Sequence, residues 1–595
     1  MKRLLVSVAL FCAVWMGLRA QSFTHIEDMP EAQLPFTPDA AWAAVKGVNF
    51  AWGSLDVRYQ KMQVPVIKPV KVAGQVSWRG ERVSFQPVLW TPEDLHDVAL
   101  EVSDLTFRKH TIGSSNIKIG FERYVIGDCL GAENGQRGYF PAEMGGFDQS
   151  KRDSVLTPDA IIGPSMAKIE ANTTRPVWIT VWVPQTAVPG TYKGTVKLCA
   201  KELRKPLELT YTVEVRDRVL PKPAHWSFHL DLWQNPFAVA RYYGVEPWSE
   251  DHLELMRPLM TALAQGGEKV VTATLMYDCW GPQTLDLFQT MVQVTRQLDG
   301  STTYNYDIFD RWVEFMASCG ITEQINCFTI APWQTRFRYF DVATDSQRFI
   351  PFDYGDDVYR SFWIPLLRSF ADHLRAKGWF EKTYLAVDER GVEVMRRVMA
   401  VAHEADPGFK FALAGNYHPE LESQLDDYCI GLAVDDDYFI RADGRAINDR
   451  RRAEGKITTF YTCCGEGHPN TFTISPLAES AALGWYALCN HYDGYLRWAY
   501  NSWNREPLYD GRWYNLTSGD IFMVYPQGCS SVRWERFVEG IQAYEKVKIL
   551  REEYVSRPAK LKKLEAAISQ FTHANLWFGG ADRYVNEAKA ILDTF

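Results

Sequence analysis

Between about Gln21 and Val219, polar and apolar residues alternate over short stretches that proline and glycine repeatedly break. "RPVWITVWVPQTAVPGTYKGTVKL" (175–198) reads as two strands around a turn, and "LELTYTVEVRDRVL" (207–220) as a further strand with a two-residue period. No long amphipathic helix interrupts them. Short strands at turn-marked intervals predict an all-β sandwich. The two prolines of "LPKPAHW" (220–226) mark a linker.

From Trp226 onward, short apolar runs alternate with stretches of helical period. The predicted strands are "SFHLDLW" (227–233), "KVVTATLMY" (269–277), "QINCFTIAPW" (324–333), "KTYLAVDE" (382–389), "FKFALAGN" (409–416), "DYCIGLAV" (427–434), "KITTFYTCC" (456–464) and "GYLRWAY" (494–500). "FDRWVEFMASCG" (309–320), "YRSFWIPLLRSFADHLRAKG" (359–378) and "GVEVMRRVMAVAHEA" (391–405) supply helices between them. Eight such repeats predict a (β/α)8 TIM barrel. An open doubly wound sheet would carry a glycine-rich phosphate turn after its first strand, and none follows 227–233. "GDIFMVYP" (519–526) reads as an extra strand. The predicted fold is therefore multidomain: a β-sandwich at 21–222, a catalytic barrel at 223–550 and a helical extension at 551–595 packed on the barrel.

Residues 1–20 fit none of this. Lys2 and Arg3 precede an apolar run from Leu4 to Leu18 that ends in the small residue Ala20, the pattern of a cleaved secretory signal. The run is shorter than the roughly 20 residues that span a bilayer, so no integral membrane segment is predicted after cleavage near Ala20. The chain is expected to be secreted or periplasmic. Its formal net charge of −9 falls by three more when Lys2, Arg3 and Arg19 leave with the signal, which argues against nucleic acid as a partner. The 11 cysteines include no CxxC pair. Cys463 and Cys464 are adjacent and His468 follows, but no second ligand cluster has zinc spacing, so packing is the reading and neither metal nor cofactor is predicted.

Aromatic residues make up 14% of the chain, with 21 Trp and 28 Tyr. Buried Trp and Tyr need polar partners, and their flat faces stack on sugar rings, so a glycan becomes the candidate ligand. In a TIM barrel the site lies where strands end and βα loops begin. Those ends carry Asp231, Trp233, Trp333, Asp388, Glu389, Asn416, Tyr461, Arg497, Trp498 and Trp503, a mixture of carboxylates, amides and aromatics that suits a sugar cleft. The acidic run Asp435–Asp437 reads as a solvated loop.

Asp388 and Glu389 are the pair of interest. Asp388 could instead cap the following helix, with Glu389 favouring its positive end. Glycosidases usually flank the scissile bond with two carboxyls about 5 Å or more apart. Adjacent acids suit another chemistry, in which the 2-acetamido oxygen of the sugar is the nucleophile. One carboxyl then protonates the leaving oxygen while the other orients the acetamido N–H. Crowding and burial would raise one pKa and keep a proton on the acid near neutrality.

"YLAVDER" (384–390), "FYTCCGEGHPNTFTISPLAES" (460–480), "GYLRWAYNSWNREPLYDGRW" (494–513), "GDIFMVYP" and "RFVEGIQAYEK" (536–546) together resemble the catalytic region of glycoside hydrolase family 123. The resemblance covers about residues 226–550, and the β-rich segment before it is similar to that family's N-terminal sandwich. It implies a retaining, substrate-assisted exo-β-N-acetylgalactosaminidase. By carry-over Asp388 would orient the acetamido group and Glu389 would be the general acid/base. Tyr461 would bind the acetamido carbonyl, Trp498 and Trp503 would wall the subsite, and Asn416 and Arg497 would contact hydroxyls. The alternatives are a β-N-acetylglucosaminidase, another exo-glycosidase, or a non-catalytic glycan-binding protein.

Overall fold

A computed structural model describes residues 26, 29–35, 39–129, 153–432, 443–464, 467–513, 516–576 and 579–595. The predicted leader and Asp435–Asp437 lie outside the described residues.

The N-terminal half stacks two seven-stranded sheets. One runs Asn49–Trp52, Pro87–Thr91, Thr173–Trp182, Ile117–Cys129, Asp153–Ile161 and Ser530–Ser531, with Arg82–Phe85 also on Thr173–Trp182. The other runs Ser165–Ile169, Leu95–Val102, Gly190–Cys199, Leu207–Val219 and Val72–Arg79, with a small hairpin attached. Both strands expected in 175–198 form, but they belong to opposite sheets. Burial explains the difference. Gly190–Cys199 alternates between covered and open positions, whereas Thr173–Trp182 is buried along nearly its whole length. The first sheet is covered on both faces: Trp178 packs on Leu477 and Val532 of the C-terminal half.

That half is a parallel barrel of β1 (His229–Leu232), β2 (Val270–Thr274), β3 (Gln324–Phe328), β4 (Thr383–Asp388), β5 (Lys410–Gly415), β6 (Asp427–Gly431), β7 (Ile457–Tyr461) and β8 (Gly494–Arg497). From β2 round to β8 each strand pairs with the next, and β8 returns to β1. The seam between β1 and β2 is nearly closed, held by the Leu230–Glu268 bridge and a 3.0 Å bond from Lys269 N to Leu230 O. Around the ring lie α1 (Pro236–Tyr243), α2 (Glu250–Ala264), α3 (Asp307–Cys319), α4 (Asp357–Lys377), α5 (Val392–Ala405), α6 (Gly444–Ala453), α7 (Leu477–Asn490) and α8 (Val532–Glu553). Between β5 and β6 there is only a short 3-10 turn, Glu422–Gln424.

Two features depart from the sequence reading. The loops after β2 and β3 build a four-stranded sheet from Thr302–Asn305, Gln293–Arg296, Arg336–Asp341 and Ser346–Pro351, whose short polar strands carry little hydrophobic signal. "GDIFMVYP" forms no strand beyond one bridge, Asn501–Phe522. Ile521 to Tyr525 is buried, and side chains satisfy three of its carbonyls: Trp503 Nε1 donates to Val524 O, Ser531 Oγ to Met523 O and Arg533 Nη1 to Phe522 O, while Ser502 N donates to Ile521 O. A continuous apolar run thus became buried coil rather than ladder.

The halves are welded where α8 begins. Ser530–Ser531 pairs with Ile161 and Ala160 at the sandwich edge. Arg533 and Asp159, both fully buried, meet at 2.9 Å, and Asp159 also accepts from Arg58 and Tyr525. Helices α7 and α8 cross closely enough that a Cβ on Gly540 would lie 2.3 Å from Ala481 O, and one on Gly484 2.1 Å from Gly540 O. The C-terminal helices pack on α7, where Trp485 stacks on Phe571, and reach the sandwich, where Arg218 Nε donates to Phe595 O.

Candidate active site

Strand β4 is apolar and buried from Leu385 to Val387, then ends in half-buried Asp388. Its ladder continues one residue further, because Glu389 N donates to Ala414 O at 2.7 Å. There the backbone turns left-handed, with φ of 47° at Glu389, and regular alternation stops. Gly415 on β5 makes this possible: a Cβ there would stand 3.2 Å from Glu389 Cα. The N-cap of α5 is Gly391, so Asp388 is not that helix's cap.

The turn sends the two carboxyls to different partners. Asp388 Oδ2 accepts from Trp333 Nε1 at 3.2 Å, on the β3 side. Glu389 Oε1 accepts from Tyr461 OH at 2.9 Å, from the end of β7 across the mouth. Gly431, at the end of β6, leaves room for the Tyr461 ring, which would lie 3.0 Å from any Cβ added there.

Arg390 completes the rim. Its guanidinium lies 4.4 Å from the centre of the Trp333 ring, and its Nε donates to Ala331 O at 3.2 Å. A cation over the indole face holds that ring while its N–H reaches Asp388. The residue behind the acid pair therefore positions the donor to one of them.

Burial, and then the neighbouring Glu389 carboxylate, push the Asp388 carboxyl up to about 7, against the opposing pull of Trp333 and Arg390. Asp388 is therefore able to hold a proton near neutrality. Glu389 stands open to solvent, while Asp388 is half-buried. Burial also drives the Tyr461 phenol well above its ordinary range, so it remains a donor.

The other predicted residues divide. Asn416 is exposed on the rim beside Gly415. Trp498 is half-buried, its Nε1 3.4 Å from Asp520 Oδ1. Arg497 and Trp503 are fully buried and present no face to a ligand. The Arg497 guanidinium is held by Asp520 at 2.8 Å, Asn470 at 3.0 Å and Thr462 O at 3.2 Å. Asp231 also lies inside, bonded by Asn326 Nδ2 at 3.1 Å, where burial pushes its carboxyl to about 7. Trp233 and Trp280 stack 5.1 Å apart beneath the surface. Trp333 and Arg390 are rim residues whose roles the sequence left unassigned; Trp333 was legible only as a strand-end aromatic and Arg390 only by its proximity to the acids. Among the described residues, no group of three or more His, Cys, Asp or Glu is arranged to hold a metal ion.

No curated protein matches the sequence. A family 123 glycoside hydrolase from Clostridium perfringens, studied for the details of glycolipid glycan hydrolysis, superposes with a TM-score of 0.80 at 27% identity, over 92% of this chain and 98% of its own. A β-glucuronidase of Bacteroides uniformis and an endo-β-1,4-mannanase of Thermotoga petrophila reach TM-scores of only 0.29, at 9% and 11% identity. They cover 84% and 54% of this chain, and 52% and 77% of theirs, and carry no argument. The models of the glycoside hydrolase 123 catalytic domain and N-terminal domain match residues 233–550 and 52–200. With an acid pair at the mouth of a barrel that the first of these models covers from β2 onward, the chain belongs to glycoside hydrolase family 123.

Proposed function

We propose that this glycosidase removes terminal β-linked N-acetylgalactosamine with retention, using the substrate's acetamido oxygen as nucleophile. The observation that carries the reading is the acid pair itself: two adjacent carboxyls, turned apart by a left-handed residue, each with its own donor. Asp388 accepts the acetamido N–H and steadies the oxazolinium-like intermediate. Glu389 first protonates the leaving oxygen and then deprotonates the incoming water. The acetamido N–H favours the anionic form of Asp388. Tyr461 restrains Glu389 on the opposite side, its 2.9 Å hydrogen bond directing the carboxyl over the mouth.

Asn416 and Trp498 are the rim groups left to contact the sugar. The signal-like pattern of residues 1–20 supports export, and among the described residues no helix is long and apolar enough to cross a membrane. The C. perfringens relative acts on glycolipid glycans, which makes such a glycan the first natural substrate to test.

The test is release of p-nitrophenol from the β-N-acetylgalactosaminide and, in parallel, from the β-N-acetylglucosaminide. Asp388→Asn and Glu389→Gln should each lose most activity, and a thiazoline mimic of the oxazoline should inhibit the wild type strongly. An active enzyme indifferent to the thiazoline would require an enzyme nucleophile and defeat the proposal.

A further inference from the structure

Beyond β7 the chain continues as Thr462, Cys463 and Cys464. Thr462 turns inward to meet Tyr495 OH at 2.7 Å, and Cys463 lies near enough to Tyr461 to act on its phenol electrostatically. The sulfurs of Cys463 and Cys464 stand 3.9 Å apart, and both residues are half-buried rather than sealed in the core. Cys279, Cys319, Cys327, Cys429 and Cys489 are, by contrast, buried.

The backbone beneath the pair is fixed from within. Arg497 donates to Thr462 O, and Asn470 Nδ2 donates to Cys463 O at 2.8 Å while its Oδ1 receives Arg497. Asp520 anchors the guanidinium from the other side. A fully buried ion pair therefore frames a two-cysteine step at the rim, giving Arg497 a positioning use in place of the hydroxyl contact read from the sequence.

We infer that Cys463 and Cys464 are a modification site: under oxidising conditions they close into a vicinal disulfide beside Tyr461. The oxidant is a small-molecule disulfide. One thiolate attacks it, forming a mixed disulfide and releasing one thiol. The second thiolate attacks the mixed disulfide at the protein sulfur, closing the ring and releasing the second thiol. The two cysteines lose two electrons and two protons overall, and the oxidant is reduced to two thiols.

Closure brings the sulfurs from 3.9 Å to a bond of about 2.05 Å and distorts the peptide between the two residues. Neighbouring Cα atoms lie about 3.8 Å apart, below the usual separation for a disulfide, so the ring is strained and readily reduced. The site is accordingly reversible. Closure stiffens the segment that follows Tyr461, the residue that holds Glu389.

The test equilibrates the full-length protein with excess glutathione disulfide, removes it, and alkylates with iodoacetamide under denaturing conditions before peptide mass mapping. The Cys463–Cys464 peptide should carry no alkyl group and be lighter by two hydrogens; after dithiothreitol it should gain two alkyl groups. Two alkyl groups before reduction, or two stable glutathione adducts, would overturn the inference. A second readout compares glycoside hydrolysis before and after dithiothreitol. The wild type should change in KM, and Cys463→Ser should not respond. An equal response in both would refute any link between this pair and the site. The mass measurement is independent of which sugar the enzyme takes.

Discussion

Replacing Asp388 with Asn should stabilise the protein while disabling it, and the stabilisation should depend on pH. In the folded chain the carboxyl titrates near 7 instead of its ordinary 3.8, chiefly through burial and the adjacent Glu389. At 1.36 kcal/mol per pH unit, that interval corresponds to about 4 kcal/mol of native preference for the protonated form. Screening at a half-buried rim reduces it to roughly 2–4 kcal/mol. The sign follows from proton binding: the folded state holds this proton more tightly than the unfolded chain, so wild-type stability is complete below about pH 4 and declines as pH rises through 7. An amide does not ionise, yet its oxygen still accepts from Trp333. The advantage of Asp388→Asn is therefore small at low pH, grows between about pH 4 and 7, and levels off above. With an unfolding entropy of about 1.2 kcal/mol/K for a chain of this size, the plateau is about 2–3 °C in Tm. Thermal unfolding of both proteins from pH 4.5 to 8.5 measures it. A difference in Tm that stays flat with pH, or a variant less stable than wild type at pH 8, would refute the reasoning.

Four other outcomes follow from particular contacts. Tyr461→Phe removes the 2.9 Å bond to Glu389 and should lower kcat about tenfold, as one net hydrogen bond of about 1.4 kcal/mol implies, with little change in Tm. Trp333→Phe keeps a ring for Arg390 but deletes the N–H to Asp388; the acid limb of the kcat/KM profile should move up by as much as about one pH unit. Asp159→Ala strands Arg533 and Arg58 in the interior and should cost about 3–5 kcal/mol, visible as a lower denaturation midpoint. Gly540→Ala forces a Cβ against Ala481 O, so overpacking of about 1–3 kcal/mol should outweigh the gain in helix propensity, again lowering Tm.

The barrel strands were legible because each is a short apolar run bounded by turn residues, and both predicted acids stand at the mouth because β4 ends where its apolar run does. The excursion after β2 and β3 was not legible, since "TTYN" and "QVTR" have neither length nor hydrophobicity. "GDIFMVYP" misled for the opposite reason: being buried on every side looks the same in sequence whether the backbone is paired to a strand or to side chains. Arg497 ends β8 and Trp503 follows shortly after it, as rim residues do, yet both turn inward, and no local pattern separates a cation that binds substrate from one that pairs with Asp520. Gly415 and Gly431 became meaningful only once Glu389 and Tyr461 were seen to need their space.

The two-residue strand Ser530–Ser531 has a consequence for how the chain comes into being. The sandwich is synthesised first, but its outer edge at Ile161 and Ala160 stays open until those serines arrive, more than 360 positions later. Arg533 follows at once and meets Asp159, while the preceding β8 joins β7 to β1. One late segment thus seals the first half and closes the second. A gene fragment cut at the linker near Pro221 would yield two products that each lack what the other supplies, so expression of the barrel alone is a poor route to active enzyme.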